Sequence, residues 1–184
     1  MTSRIKMGPF SRCLSILIHH RVIPEPDPLI PEQICAREFD WQLAVLGRWF
    51  TVLPLREAVA RLHGGTLPIR SACVTFDDGY ADNVTVALPI LRRHGVPATF
   101  FLATRFIDGG RMWNDTAIET IRRAQGEFLD ARCIGLDKLN LSTIELRRRA
   151  IEIVLAALKY LPLEERQRRV EELGADTSRE PPSD

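Results

Sequence analysis

The chain has 184 residues, 45% hydrophobic and 27% charged, the balance of a soluble globular domain able to bury a core. Its 25 Lys+Arg nearly cancel its 24 Asp+Glu, so no overall field draws it to nucleic acid or to an anionic surface, and partners must be argued from sites. The first long apolar run, residues 13–18, is stopped by His19-His20-Arg21 and is shorter than a secretory core of about 7 to 15 apolar residues. No export segment or membrane span is therefore expected, and a cytoplasmic location is the default. Cys13, Cys35, Cys73 and Cys133 lie far apart with no Cys-x-x-Cys, so they are read as reduced, Cys73 as a small core residue.

In chain order, strand-type runs alternate with helix-type runs over the first 110 or so residues, which predicts an α/β class with parallel strands. The first strand spans residues 13–18 and runs into Pro24-Glu25-Pro26-Asp27-Pro28, a stiff extended loop. Phe39, Leu43, Leu46 and Phe50 then mark one face of a helix. A short strand at 51–53 and a helix at 55–63 make the next unit.

Residues 69–76 and 98–103 read as buried strands, apolar with little strict alternation. Between them Val84, Leu88 and Leu91 give a helical stripe that Pro89 disturbs, so the regular helix should begin near Pro89 or kink there. Gly64 and Gly95, each after a histidine and before a nearby proline, are expected to be left-handed helix caps. That makes His63 and His94 helix-end residues rather than ligands.

From Met112 to Gly174 the chain reads as helices with no strand between them. Thr116-Ala117-Ile118-Glu119 and Ser142-Thr143-Ile144-Glu145 fit the capping box. Ile144, Ile151, Leu155 and Leu158 form an apolar stripe. The expected organisation is thus first βα units over 1–111, a helical insertion over 112–174 and a disordered polar tail over 175–184.

Chemistry in parallel sheets gathers where strands reach their carboxyl edge. Asp77 and Asp78 follow such a strand, and Gly79 lets the backbone turn so that both carboxylates can face the mouth. Two carboxylates so close repel, which favours a bound cation. From the residues alone, an ordinary strand-to-helix turn stabilised by Asp77 or Asp78 fits as well. Asp82 or Asn83 would cap the next helix, and Trp113 would either face a sugar or pack its own helices.

Thr75-Phe76-Asp77-Asp78-Gly79-Tyr80, followed by Pro97-Ala98-Thr99-Phe100-Phe101, resembles the polysaccharide deacetylase family. This family is also called the NodB homology or chitin deacetylase-like family, carbohydrate esterase family four. Leu17-Ile18-His19-His20-Arg21-Val22 resembles the Tyr-His-Arg-Val ending of the first strand in one branch, with His20 at the histidine and His19 where tyrosine is usual. The resemblance implies a distorted (β/α)7 barrel, here its N-terminal part only, with a helical insertion and a barrel not complete in this chain. It implies a hydrolase acting on carbon-nitrogen bonds other than peptide bonds, which removes acetyl groups from an N-acetylated polysaccharide or oligosaccharide. By the same resemblance Asp77 is the general base, Asp78 a ligand of a divalent metal, most often zinc, and His20 and His19 lie at the mouth of the site.

The family's other two metal ligands lie in a His-x-x-x-His motif after the second aspartate. The only histidines here are His19, His20, His63 and His94, and no pair has that spacing. Residues 1–111 supply fewer than four units at about 30 residues each, whereas a closed barrel needs about 200 residues or more. The expectation is a chain truncated before its second ligand motif, with metal binding weak or absent and open sheet edges inviting self-association. The alternative is a catalytically inactive fragment or association module of deacetylase ancestry. A haloacid dehalogenase-type phosphatase would need Asp-x-Asp-Gly-Thr, and a retaining glycosidase a second acidic strand end, neither of which the chain offers.

Overall fold

In a computed structural model the chain is described over residues 13–177. It divides into two compact units, one of the residues up to Asp27 with Pro31–Ile107, the other of Pro28–Ile30 with the residues from Asp108 on.

The first unit is built around β3, Ser71–Phe76, every residue of which is buried. Strand β1, Leu14–His19, pairs with it in parallel from Leu14↔Ser71 to His19↔Phe76 and so fills one edge. Along the other edge β2, Thr51–Val52, pairs with the start of β3, and β4, Ala98–Phe100, with its end, both parallel. The α/β class with parallel strands is what the alternating runs predicted; the sheet is partial, and none among the described residues closes on itself. Three of the four predicted strands overrun the observed ones, 51–53 and 98–103 at their ends and 69–76 at its start, while the first keeps its length and shifts by one residue.

Alternation along β3 separates two packed layers. Ala72, Val74 and Phe76 meet α1, Ala36–Trp49, and α3, Leu88–His94, through Phe39, Leu43, Leu46, Ile90 and Leu91. Cys73 faces the other way, against Ala58 of α2, Leu55–His63, and Leu67. Phe50, expected on the α1 stripe, is the extended residue that ends the helix and is 37% exposed.

Helix α1 begins where the Cys35 N–H donates to Glu38 Oε2 at 3.0 Å. Just before it the Ile23 N–H donates to the Ile34 carbonyl and the Ala36 N–H to the Ile23 carbonyl, closing the proline-rich loop at its base. Pro89 acts as predicted: a π turn over Asn83–Ala87 precedes it, and regular α3 starts at Leu88 with the proline in its first turn. A residue without an N–H is harmless there. Of the expected left-handed caps, Gly95 is one, with φ 62°. At the end of α2 the role passes to Gly65, φ 66°, while Gly64 stays at φ −78°.

The second unit packs α4, Trp113–Arg123, α5, Ile144–Lys159, and α6, Leu163–Thr177, around Ile121, Leu141, Val154, Leu158 and Leu173. It also contains an antiparallel hairpin, β5 Phe128–Asp130 with β6 Lys138–Asn140, where helices alone were expected. Strands of three residues are too short for periodicity to register. Thr116 is not a cap: it lies inside α4, and its hydroxyl donates back to the Met112 carbonyl at 3.0 Å. The α5 cap is Thr143, whose hydroxyl accepts from the Leu146 N–H at 3.2 Å, one residue past the predicted Ser142. Helix α6 runs to Thr177, into the stretch expected to be a disordered tail; residues 178–184 lie outside the described residues.

Candidate active site

Strands β1, β3 and β4 end at the same level, since His19 and Phe100 are both ladder partners of Phe76. The Phe76 ring stacks on Phe100 at 4.9 Å between centroids and meets Phe39 edge-on at 5.8 Å, so the residue before the acids is locked into the core. The next residues are then held from both sides. The Asp77 N–H donates to the His19 carbonyl at 2.9 Å, the Phe101 N–H to the Phe76 carbonyl at 2.8 Å, and the Ala103 N–H to the Asp78 carbonyl at 3.2 Å.

At this clamp the backbone turns over in one residue. Asp78 has φ 73°, and the Gly79 N–H donates across it to the Asp77 carbonyl at 3.0 Å, the bond of a tight three-residue turn with a left-handed centre. Only a few residue types enter that region, aspartate among them, at a cost of about 1 to 2 kcal/mol. Gly79 follows at φ 77°, and a Cβ there would sit 2.7 Å from Leu102 Cδ2. The sequence assigns the turn to Gly79, but the strained residue is Asp78 itself. Strain of this kind collects at functional sites.

Asp77 and Asp78 are both partly buried and adjoin the strand ends. His20, next after the last β1–β3 ladder pair, is exposed, and strand alternation places it on the same face as Ile18 and Thr75. His19, expected at the mouth, is turned the other way. Its ring lies 5.2 Å from that of Phe39 and 5.3 Å from that of Phe76, because residue 19 shares the helix-covered face with Leu17. Burial pushes its pKa down, with the neighbouring His20 adding to the shift, and keeps the ring neutral.

Asp82 does not cap a helix. It is buried, accepts from Arg21 Nε at 2.8 Å and lies 3.4 Å from the Val22 N–H, while the Arg21 guanidinium sits 4.7 Å over the Tyr80 ring. The segment after β1 is thereby tied to the segment after β3. Arg21 and Asp82 were missed as a pair, although Arg21 directly follows the histidine of the matching segment. Asn83 is 2% exposed, and neither of its side-chain polar atoms has a partner among the described residues. His63 and His94 stand at helix ends as expected; His94 Nε2 lies 2.6 Å from Asp40 Oδ1. Trp113 packs in the second unit under Arg166, whose guanidinium is 4.8 Å from the ring centroid.

The zinc implied by the resemblance does not find its full donor set here. Asp77 and Asp78 bring two adjacent carboxylates, but among the described residues no group of three His, Cys, Asp or Glu side chains converges to hold a metal. What the arrangement can do by itself is present two carboxylates at a rigid strand end.

Residues 64–128 match the model of a known family, described as polysaccharide deacetylase. That segment contains both Thr75-Phe76-Asp77-Asp78-Gly79-Tyr80 and Pro97-Ala98-Thr99-Phe100-Phe101. Over 95 residues the chain is 28% identical to YxkH of Bacillus subtilis (strain 168), described as a candidate polysaccharide deacetylase, covering 51% of this chain and 33% of that protein. The chain thus spans about a third of the length of this curated relative. Among solved structures it is similar to a de-N-acetylase from Aggregatibacter actinomycetemcomitans, at TM-score 0.43 and 25% identity over 58% of this chain and 40% of that one. It is also similar to IcaB from Ammonifex degensii, at TM-score 0.42 and 20% identity, covering 88% of this chain and 80% of that one. The Streptococcus pyogenes deacetylase PplD in complex with acetate matches at TM-score 0.46 and 17% identity, again covering 88% and 80%.

Proposed function

We propose that this chain, related to the polysaccharide deacetylases through residues 64–128, supplies the acid half of a site that hydrolyses N-acetyl groups on a sugar polymer. The observation that carries the reading is the placement of Asp77 and Asp78 within the strained turn that directly follows the common end of β1, β3 and β4, with backbone clamps on both sides. In it Asp77 is the general base: its carboxylate takes a proton from the water that attacks the acetamide carbonyl, and the products are acetate and a free sugar amine. Asp78 contributes the second carboxylate, on the side where the resemblance puts a divalent metal. His20 stands at the mouth, and the histidine pair that would complete the donor set comes from residues other than these. Residues 1–111 are then the first βα units of the barrel and 112–174 an insertion.

A second reading is a catalytically inactive module of the same ancestry that acts by association. It is favoured by the apolar face left open beside the acids, where Ile18 is 61% exposed and Ile16, Phe101 and Leu102 are also exposed. In this reading the β1 edge, which has no second ladder partner among the described residues, and that face bind a second chain.

The test is acetate release from N-acetylated chitin oligomers. It uses the 184-residue chain alone, and the chain mixed with the carboxyl-terminal half of a family deacetylase that carries the His-x-x-x-His pair. Release in the mixture only, abolished by Asp77→Asn, is the expected result. Release that survives Asp77→Asn sinks the assignment of the base, and no release in a mixture that forms a complex favours the association module.

A further inference from the structure

The near-zero net charge of the whole chain conceals a local imbalance. On the side of the sheet occupied by α1 and α3, the two helices carry Arg37, Arg48, Arg92 and Arg93 against only Glu38 and Asp40. Asp40 Oδ1 accepts from Arg93 and meets His94, each at 2.6 Å, whereas Glu38 is exposed and its Oε2 accepts from the neutral Cys35 N–H at 3.0 Å, so three arginines face one unpaired carboxylate charge. Arg37, Arg48 and Arg92 are exposed.

Helix α1 has apolar residues on two sides. Phe39, Leu43 and Leu46 are buried against the sheet, as an amphipathic helix requires. At 100° per residue, Arg37, Trp41 and Arg48 fall opposite them, with Val45 and Trp49 alongside. Trp41 is 66% and Trp49 53% exposed, and Val45, one turn from each, is exposed as well. The two indoles lie about 12 Å apart along the axis, eight residues at the helical rise. The Arg48 guanidinium sits 5.5 Å from the Trp49 ring centroid, keeping cation and indole together at the surface.

Two exposed tryptophans beside exposed arginines, which outnumber the carboxylates of the same two helices, make a surface suited to the headgroup level of a bilayer. Indole rings settle there, and each cation near an anionic leaflet adds attraction. We propose that the outer face of α1, with the cationic end of α3, docks this chain on an anionic lipid surface, without any segment crossing it. The excess of arginines over carboxylates favours an anionic lipid surface over the neutral sugar polymer of the proposed reaction, and the residue between the two indoles, Val45, is apolar. This inference does not depend on the deacetylase reading, since it uses none of the site residues.

The test is flotation of the full chain with phosphatidylcholine vesicles and with vesicles of phosphatidylcholine and phosphatidylglycerol at 7:3, a ratio of roughly physiological anionic content. Binding to the anionic vesicles only, weakened by salt, is expected. Arg37→Gln with Arg48→Gln should lower partitioning by roughly thirtyfold, two cations' share. Trp41→Ser with Trp49→Ser should abolish it, whereas Ile16→Ser with Ile18→Ser, on the other face, should leave it unchanged. Protection of the wild-type tryptophans from iodide quenching by the anionic vesicles checks the same contact without any substitution. Equal binding to neutral vesicles, or binding that survives the tryptophan substitutions, overturns the proposal. So does loss of binding with the isoleucine pair alone, or an unaltered quenching profile. A shift in oligomeric state on Trp41→Ser in the absence of lipid would assign the face to a protein partner instead, and would equally end it.

Discussion

Arg21 and Asp82 join across 2.8 Å two segments that are 61 residues apart, and they do so directly behind the turn that carries the acids. The Asp82 side chain is the more buried of the pair, 10% exposed against 32% for Arg21. Removing the cation strands a carboxylate that has little water to fall back on.

Arg21→Met should therefore lower stability by about 2 kcal/mol, discounted from the cost of breaking a fully buried pair because Arg21 is partly solvated. Asp82→Asn should cost less, since an amide oxygen still faces the Val22 N–H. Urea unfolding followed by circular dichroism reads both, and an Asp82→Asn variant less stable than Arg21→Met would contradict the account.

The left-handed turn predicts two opposite signs at neighbouring positions. Asp78→Gly should stabilise the fold by about 1 kcal/mol by relieving φ strain, while Asp78→Val should destabilise it by a similar amount or more. Gly79→Ala should cost about 1 to 2 kcal/mol, because its φ stays left-handed even if the Leu102 side chain moves away. Denaturation midpoints measured on the three variants decide this.

His19 gives a pH dependence with a definite sign. Burial holds its folded pKa below the ordinary 6.5, so in the window just under that value the unfolded chain binds a proton that the folded chain refuses. Stability should fall as pH drops through 6.5 toward the folded pKa, and be fully present above it. His19→Phe, which suits a site between Phe39 and Phe76, should flatten the profile in this window. The lowered carboxylates Asp40, Glu38, Glu145 and Asp130 act in the acid range instead, stabilising above their ordinary values and losing that contribution as pH falls further. An unchanged slope between pH 7 and 5.5, a range set to straddle the imidazole midpoint, would show that His19 titrates normally.

Calorimetric titration with zinc should give no tight stoichiometric binding to the chain by itself, and Asp78→Asn should leave the trace unaltered. A sharp endpoint lost in Asp78→Asn would mean that the two carboxylates and His20 form a closed set after all.

Much of this was legible from residue patterns, and the limits have physical causes. The run before Asp77 could be read as a buried strand because fully covered parallel strands carry no polar alternation, and Pro89 marked the start of α3 because it cannot donate in a helix interior. Asp77 and Asp78 could be singled out because they follow a buried strand at its carboxyl edge, within a segment that resembles the deacetylase family; from the residues alone an ordinary turn fitted as well. Which of them bears the strain could not, since φ depends on the clamps from His19 and Ala103, which are distant in sequence. Whether His19 or His20 faces outward turned on a one-residue choice of strand phase, which a strand with only Ser15 to interrupt its apolar run does not reveal. The hairpin of the second unit is built of three-residue strands too short to show a period, and the Arg21–Asp82 pair joins segments 61 residues apart with no local signal.

Both edges of β3 carry ladder partners, and the Asp77 amide is the last rung on the β1 side. Deuterium should therefore reach these amides last, after the ends of α2 and α3 have frayed many times over. The turn that carries the carboxylates hangs directly from that last rung, so it should open no sooner than the strand end that anchors it.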